Sequence, residues 1–136
     1  MDMLLQSLGG FIPFITTLAA AFVLLALFIF IYIKITPYHE IQLIREGNLA
    51  AAVSLSGTTL GFAIPLAQSA AQSGSLPDML LWSLISMMVQ LAAYFVVRMT
   101  IPNIAQDIPQ GKVAQGTFLG VLSLATGLLS AACMDV

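Results

Sequence analysis

The chain has 136 residues, 60% of them hydrophobic and only 7% charged, against about 25% charged in an ordinary soluble domain. A soluble fold of this length keeps a large share of its surface wet and cannot hide so much apolar side chain, so the composition calls for a bilayer as solvent. The formal charge of −2 names no electrostatic partner, and no basic run points to nucleic acid. The single cysteine, Cys133, excludes an internal disulfide and a Cys-rich metal site.

Residues 1–10, with Asp2 and a Gly9-Gly10 break, read as a brief polar-side lead-in. They lack a basic n-region, and the apolar run that follows is too long for a cleaved h-region, so no secretory signal peptide is expected. From Phe11 to Ile33 about 23 residues pass without a charge, enough at 1.5 Å per residue to cross a hydrocarbon core of about 30 Å. Pro13 falls in the first turn of this span, where a missing N–H costs little. The span's second half is bulky on every side and is predicted to face lipid over much of its circumference.

Thr36-Pro37 opens a short connector that runs to Glu46, with Thr36 as N-cap and Pro37 at the first helical position. Tyr38, Ile41 and Ile44 recur at helical spacing while His39, Glu40, Gln42, Arg45 and Glu46 are polar. The pattern predicts an amphipathic helix lying along the headgroups, its charged face solvated. Gly47 stops that helix and Asn48 caps the next. The second span, from about Asn48 to Ala70, is rich in small and hydroxyl residues, among them Ser54, Ser56, Thr58 and Thr59. Gly57 and Gly61 form a G-x-x-x-G spacing, which lets another backbone come close in lipid. Pro65 is predicted to kink the span and to free the carbonyl of Gly61, which then needs another partner.

Gln72 to Asp78 is a tight turn without a base. The third span, from about Leu76 or Met79 to Val97, opens with Trp82 at interfacial depth and ends on Arg98, which can snorkel. Ser83, Met87, Gln90, Tyr94 and Arg98 are spaced to share one face. Thr100 to Gln110 is a second connector, with Pro102 at its start and Pro109 near its end. The fourth span, from about Val113 to Met134, carries Gly116, Gly120, Ser123, Gly127 and Ser130 on one side.

All four bases flank the connectors: Lys34 and Arg45 the first, Arg98 and Lys112 the second. By the positive-inside rule both connectors are cytoplasmic and both termini, with Asp2 and Asp135, lie outside. Shifting the chain by 64 residues sets Lys34-Ile-Thr36 on Arg98-Met-Thr100, Gln42 on Gln106, Ile44 on Ile108 and Gly47 on Gly111. The expectation is an all-α integral membrane protein, one domain of four transmembrane helices arranged as two parallel-repeat hairpins. The first repeat covers about 11–70 and the second about 76–134. The second and fourth helices are expected to pack their small stripes together, with the bulkier first and third outside.

Thr36-Pro-Tyr-His-Glu, Ile44-Arg-Glu-Gly-Asn-Leu-Ala-Ala-Ala, the Gly57 and Gly61 pair, Gln90 and the closing Gly127-Leu-Leu-Ser-Ala-Ala-Cys-Met resemble the DUF350 family of bacterial inner-membrane proteins. The resemblance covers essentially the whole chain, and the first connector with the second span is its most specific part. It implies a four-span protein of the bacterial inner membrane with no settled activity. Members encoded beside envelope-stress proteins of the phage-shock type suggest a partner but no reaction. One departure is Gly111-Lys112 in the second half where the first has Gly47-Asn48, so any role of that asparagine is not duplicated.

An enzyme needs titratable groups that converge. His39 and Cys133 are predicted on opposite sides of the membrane, Glu40 and Glu46 are six residues apart on a surface helix, and no glycine loop cradles phosphate. No catalytic role, cofactor or metal is expected. The small stripes admit two readings. One is close helix packing through Gly57, Gly61, Gly116, Gly120 and Gly127, with Gln90 in an interhelical hydrogen bond. The other is a hydrophilic path lined by Ser54, Thr58, Ser123 and Ser130, with Gln90 beside it and Pro65 exposing a carbonyl to a passing ion. Two functions follow. The chain is a membrane scaffold or sensor, homo-oligomeric, whose connectors (His39, Glu40, Arg45, Glu46, Gly47 and Asn48 in one, Arg98, Gly111 and Lys112 in the other) recruit a cytoplasmic envelope-stress protein. Alternatively it is an oligomeric pore for small ions or solutes.

Overall fold

Wherever the chain runs long without charge it is helical. A computed structural model describes residues 2–36, 39–72 and 75–134. Its helices are α1 (Asp2–Gly9), α2 (Phe11–Ile35), α3 (Glu40–Arg45), α4 (Leu49–Gln72), α5 (Leu76–Thr100), α6 (Ile104–Asp107) and α7 (Val113–Cys133). Four stretches are long and apolar enough to cross a membrane: Met3–Ile35, Leu49–Gln72, Leu76–Thr100 and Val113–Cys133. The fold is all-α. Pro37, Tyr38, Ser73, Gly74 and Asp135, which enter the expectations for the first connector, the turn and the far-end charge, lie outside the described residues.

Three boundaries depart from the sequence reading. The lead-in is helical: Gly10 N donates to Gln6 O and Phe14 N to Gly10 O, both at 3.2 Å, so the ladder runs through the two glycines into α2. Glycine inside a helix costs only about 1 kcal/mol, which the apolar run on either side outweighs. Thr36 ends α2 instead of starting the next helix: its N–H donates to Tyr32 O at 3.0 Å, and α3 begins only at Glu40. At the second connector, α5 continues to Thr100 and only Ile104–Asp107 is helical beyond it.

The interior is a parallel pair, α4 against α7. Contacts ascend together along both helices: Gly116 lies on Ala50, Gly120 on Val53 and Gly57, Ser123 on Gly61, and Gly127 on Gly61. A Cβ at Gly57, Gly61, Gly116 or Gly127 would strike the facing backbone. In lipid, where apolar side chains gain nothing by leaving the solvent, such backbone proximity is what holds helices together. The chain direction reverses at α5, which joins α4 through the Ser69 and Ser83 hydroxyls at 3.1 Å. Its buried face carries Met79, Ser83, Ser86, Met87, Gln90, Tyr94 and Val97.

Helix α2 is the peripheral one. Only Leu24, Phe28 and Tyr32, four residues apart, are buried on it. Phe28 stacks on Phe62 of α4 with ring centroids 4.6 Å apart, and Tyr32 meets Tyr94 of α5 edge-on at 5.4 Å. Ala20, Ala21, Leu25, Ile29, Ile31 and Ile35 are partly buried against the core, while Phe14, Phe22, Val23 and Phe30 face outward. That stripe directs the end of α2 onto the connectors.

Candidate functional site: the connector end

Both connectors sit at one end of the bundle because α4 and α7 start there and run the same way. Each short helix is closed by the same device. Gly47 (φ +86°) and Gly111 (φ +82°) take the left-handed conformation, which a glycine adopts without steric cost. Asn48 N donates to Leu43 O at 2.9 Å and Gly47 N to Ile44 O at 3.0 Å. Lys112 N donates to Asp107 O at 3.1 Å and Gly111 N to Ile108 O at 2.9 Å. Both are Schellman ends, which satisfy the last carbonyls of a helix.

Asn48 then does two things. Its Oδ1 accepts from Ala51 N at 3.0 Å, capping α4, and its Nδ2 donates across the bundle to Ile108 O at 2.9 Å and Pro109 O at 3.2 Å. One amide therefore ties the start of α4 to the opposite connector. Lys112, at the matching place in the second half, instead pairs with Asp107 at 3.3 Å.

Glu40 overturns the expectation of a solvated charged face. It is fully buried. Its Oε1 accepts a 2.6 Å hydrogen bond from Thr36 Oγ1, and Oε2 has no hydrogen-bond partner among the described residues. Helix α2 ends at Ile35 and α3 begins at Glu40, and the hydrogen bond from Thr36, itself buried, holds the carboxyl inward. Burial pushes its pKa from the ordinary 4.5 up to about 7, against the opposing effect of the Thr36 hydroxyl. Tyr94 lies within electrostatic reach of Glu40 and of Arg98. By contrast His39, Arg45 and Glu46 are exposed, as are Gly111 and Lys112, while Arg98 is half-buried.

The mid-membrane residues meet elsewhere. Pro65 has no N–H for the carbonyl of Gly61, and Gln90 Nε2 donates to that oxygen at 2.8 Å and to Ser123 O at 3.1 Å. Thr58 Oγ1 donates to Ser54 O at 2.9 Å and lies 3.3 Å from Ser123 Oγ. Ser54, Thr58, Gln90 and Ser123 are all buried between α4, α5 and α7. The Ser54 hydroxyl donates to Ala51 O at 3.1 Å, so it and Thr58 both turn back onto carbonyls of their own helix. Ser130 is only half-buried, in a groove between α5 and α7 with Trp82, Ser86 and Cys133.

Sequence reasoning missed Asp107, Thr36 as a partner of Glu40, and the Ser69–Ser83 pair. The chain leaves helical register between Ile35 and Glu40, so no periodicity could have linked Thr36 to the carboxyl. Asp107 stands five residues before Lys112, which gives no helical register to read.

Four apolar helices, a glycine-lined parallel pair and two glycine-closed connectors define a multi-pass membrane protein. The chain belongs to the family described as Domain of Unknown Function (DUF350), which matches residues 3–134. It is 43% identical over 108 residues to the UPF0719 inner membrane protein YjfL of Escherichia coli (strain K12), covering 79% of this chain and 82% of that one. It is 30% identical over 116 residues to the UPF0719 transmembrane protein YshE of Bacillus subtilis (strain 168), covering 84% and 87%. No solved structure matches the chain.

Proposed function

We propose that the chain is a scaffold or sensor of the bacterial inner membrane that presents its connector end to a cytoplasmic envelope-stress protein of the phage-shock type. The observation that carries this is the bond from Asn48 Nδ2 to Ile108 O at 2.9 Å. It makes one surface of two connectors that are 60 residues apart in the chain, with Arg45 and Lys112 exposed on it. All four bases stand at this end, which supports a cytoplasmic placement of the connectors and outside termini. The name of the Escherichia coli relative supports the inner membrane. The reading assigns no catalytic chemistry to the chain.

Two hairpin copies underlie this platform in our reading. The starts of α3 and α6, the starts of α4 and α7, and the two left-handed glycines all stand 64 residues apart, which supports a repeat. Homo-oligomer formation loses one of its grounds, since the small faces expected to seek other subunits are occupied inside one chain. An oligomeric pore is weakened likewise, because Ser54, Thr58 and Ser123 are buried within the monomer.

The test is a pulldown of a purified phage-shock-type stress protein on the chain in lipid nanodiscs, with Arg45→Glu and Lys112→Glu alongside. Retention by the native chain and loss in both variants, with helicity unchanged, is the expected outcome. Ion conductance of the purified chain in liposomes, altered by Gln90→Leu or Ser123→Leu, would replace the scaffold with the pore.

A further inference from the structure

Glu40 stands out from the rest of the molecule as a carboxyl in a place that packing gives to a hydrocarbon. It is the first residue of α3, and Ile104 is the first residue of α6; both are fully buried. The first residue of one connector helix is thus an isoleucine and that of the other a carboxyl, and both are out of water. A buried charge is expensive unless paired, and Glu40 has no ion pair within the 4 Å range among the described residues. Some other property of the carboxyl is being used.

The hydrogen bonds point to its proton. Thr36 Oγ1 lies 2.6 Å from Glu40 Oε1 and 3.1 Å from Ile33 O. A hydroxyl has one proton to give. If Glu40 is ionised, Thr36 serves one acceptor and leaves the other short. With Glu40 neutral, Oε1–H donates to Thr36 Oγ1 and Thr36 donates to Ile33 O, so both contacts become bonds. The buried geometry suits the neutral acid.

We propose that Glu40 is a proton-operated latch, holding α3 against α4 and the Thr36 end of α2 when its carboxyl is neutral and releasing α3 toward water when it is ionised. The groups around it are few. Helix α4, on which α3 packs, has no ionisable side chain from Leu49 to Gln72. Helix α2 brings Tyr32 and Thr36, and its Lys34 sits over Phe30, 5.3 Å from the ring centre. Helix α5 brings Tyr94 and Arg98, with Tyr94 in electrostatic reach of both Arg98 and Glu40. Asp107 and Lys112, from the second connector, are paired together. His39, Arg45 and Glu46, on or beside α3, are exposed.

The sign follows from which state prefers the proton. Docked, the carboxyl holds its proton up to about pH 7; undocked in water it lets go near the ordinary 4.5. Docking is therefore at full strength below about pH 4.5, weakens by up to about tenfold per pH unit between 4.5 and about 7, and is level above that. A fall in pH at the connector end closes the latch and a rise opens it. The consequence for a partner rests on the proposed scaffold function; the latch itself does not.

Amide hydrogen exchange of the chain in phosphatidylcholine nanodiscs tests it, at pH 5.5 and 7.5, normalised to an unstructured peptide of the same sequence. Protection of residues 40–46 is expected to fall at least about tenfold from the lower to the higher pH, while α4 and α7 hold theirs. Glu40→Gln, and Glu40→Ile as the side chain already accepted at 104, are expected to keep α3 equally protected at both values. Two variants guard against one failing to fold. Equal protection of the native α3 at the two pH values overturns the latch, as does a pH dependence that persists in both variants. No partner is present in this measurement, so a failed latch and a failed scaffold give different results.

Discussion

Gln90 shows how one residue settles a defect that the backbone creates. Proline at 65 withdraws the N–H that Gly61 O would use, and in hydrocarbon no water replaces it. The Gln90 amide fills that place and reaches Ser123 O as well. Gln90→Leu keeps the bulk of the side chain and strands the Gly61 carbonyl, while Ser123 O stays within the unbroken helix α7. The expected cost is about 1–2 kcal/mol of bundle stability, in line with interhelical hydrogen bonds in membranes, read as a lowered thermal midpoint in detergent micelles. Pro65→Ala in the same background should recover part of the loss, since it returns an N–H to Gly61 O. A double-mutant cycle that shows no coupling between 65 and 90 would refute the pairing.

Much of this residue-scale picture can be read from the chain alone. The orphaned carbonyl follows from counting four back from Pro65, and the face that bears Gln90 from its spacing with Ser83, Met87 and Tyr94. Glu40 could not be read the same way. Polarity assigns a glutamate beside Gln42 and Arg45 to water, and that rule fails because the carboxyl is buried against the Thr36 hydroxyl at the end of α2. Local amphipathicity cannot see a neighbour supplied by a different span.

At the scale of elements, the short helices owe their placement to their ends. A six-residue helix has no intrinsic stability in water, and α3 persists through its closure at Gly47 and its burial of Glu40. Asn48 is the hinge of that arrangement. Asn48→Ala removes the cap of α4 and both bonds to the second connector, whereas Asn48→Asp keeps the cap and loses only the donor. The alanine variant should lose about 1–2 kcal/mol and the aspartate variant less, measured by unfolding in mixed micelles. Increased exchange at 104–111 in both would report the severed bridge; unchanged exchange there would deny that Asn48 couples the connectors. The Asn48 cap and the Gly47 stop were legible because both are short-range signals. The bridge to Ile108 was not, since it depends on α4 and α7 being neighbours that run the same way.

At the scale of the whole molecule the membrane spans were visible in the absence of charge, and four helices follow from four such stretches. The lead-in was misjudged: paired glycines read as a break, but in an apolar setting the helix gains more by continuing than they cost. Orientation makes a separate prediction. Reporter fusions at Val136 and at the Gln72–Asp78 turn should behave as periplasmic, being inactive for green fluorescence and active for alkaline phosphatase. A fusion within Gln106–Gln110 should show the reverse. A fluorescent Val136 fusion would invert the placement of the connectors and move the proposed partner to the other compartment.

The glycine seam also imposes an order on biosynthesis. Helix α4 is only moderately hydrophobic, with a mean hydropathy of 1.6 against 2.8 for the first span, and its mate α7 is made after it and after α5. Until then the notches at Gly57 and Gly61 stand open to acyl chains, and only α5 is at hand to cover the carbonyl below Pro65. Because α5 lies between the two in the chain, the α4–α7 seam can close only after all three helices have been made.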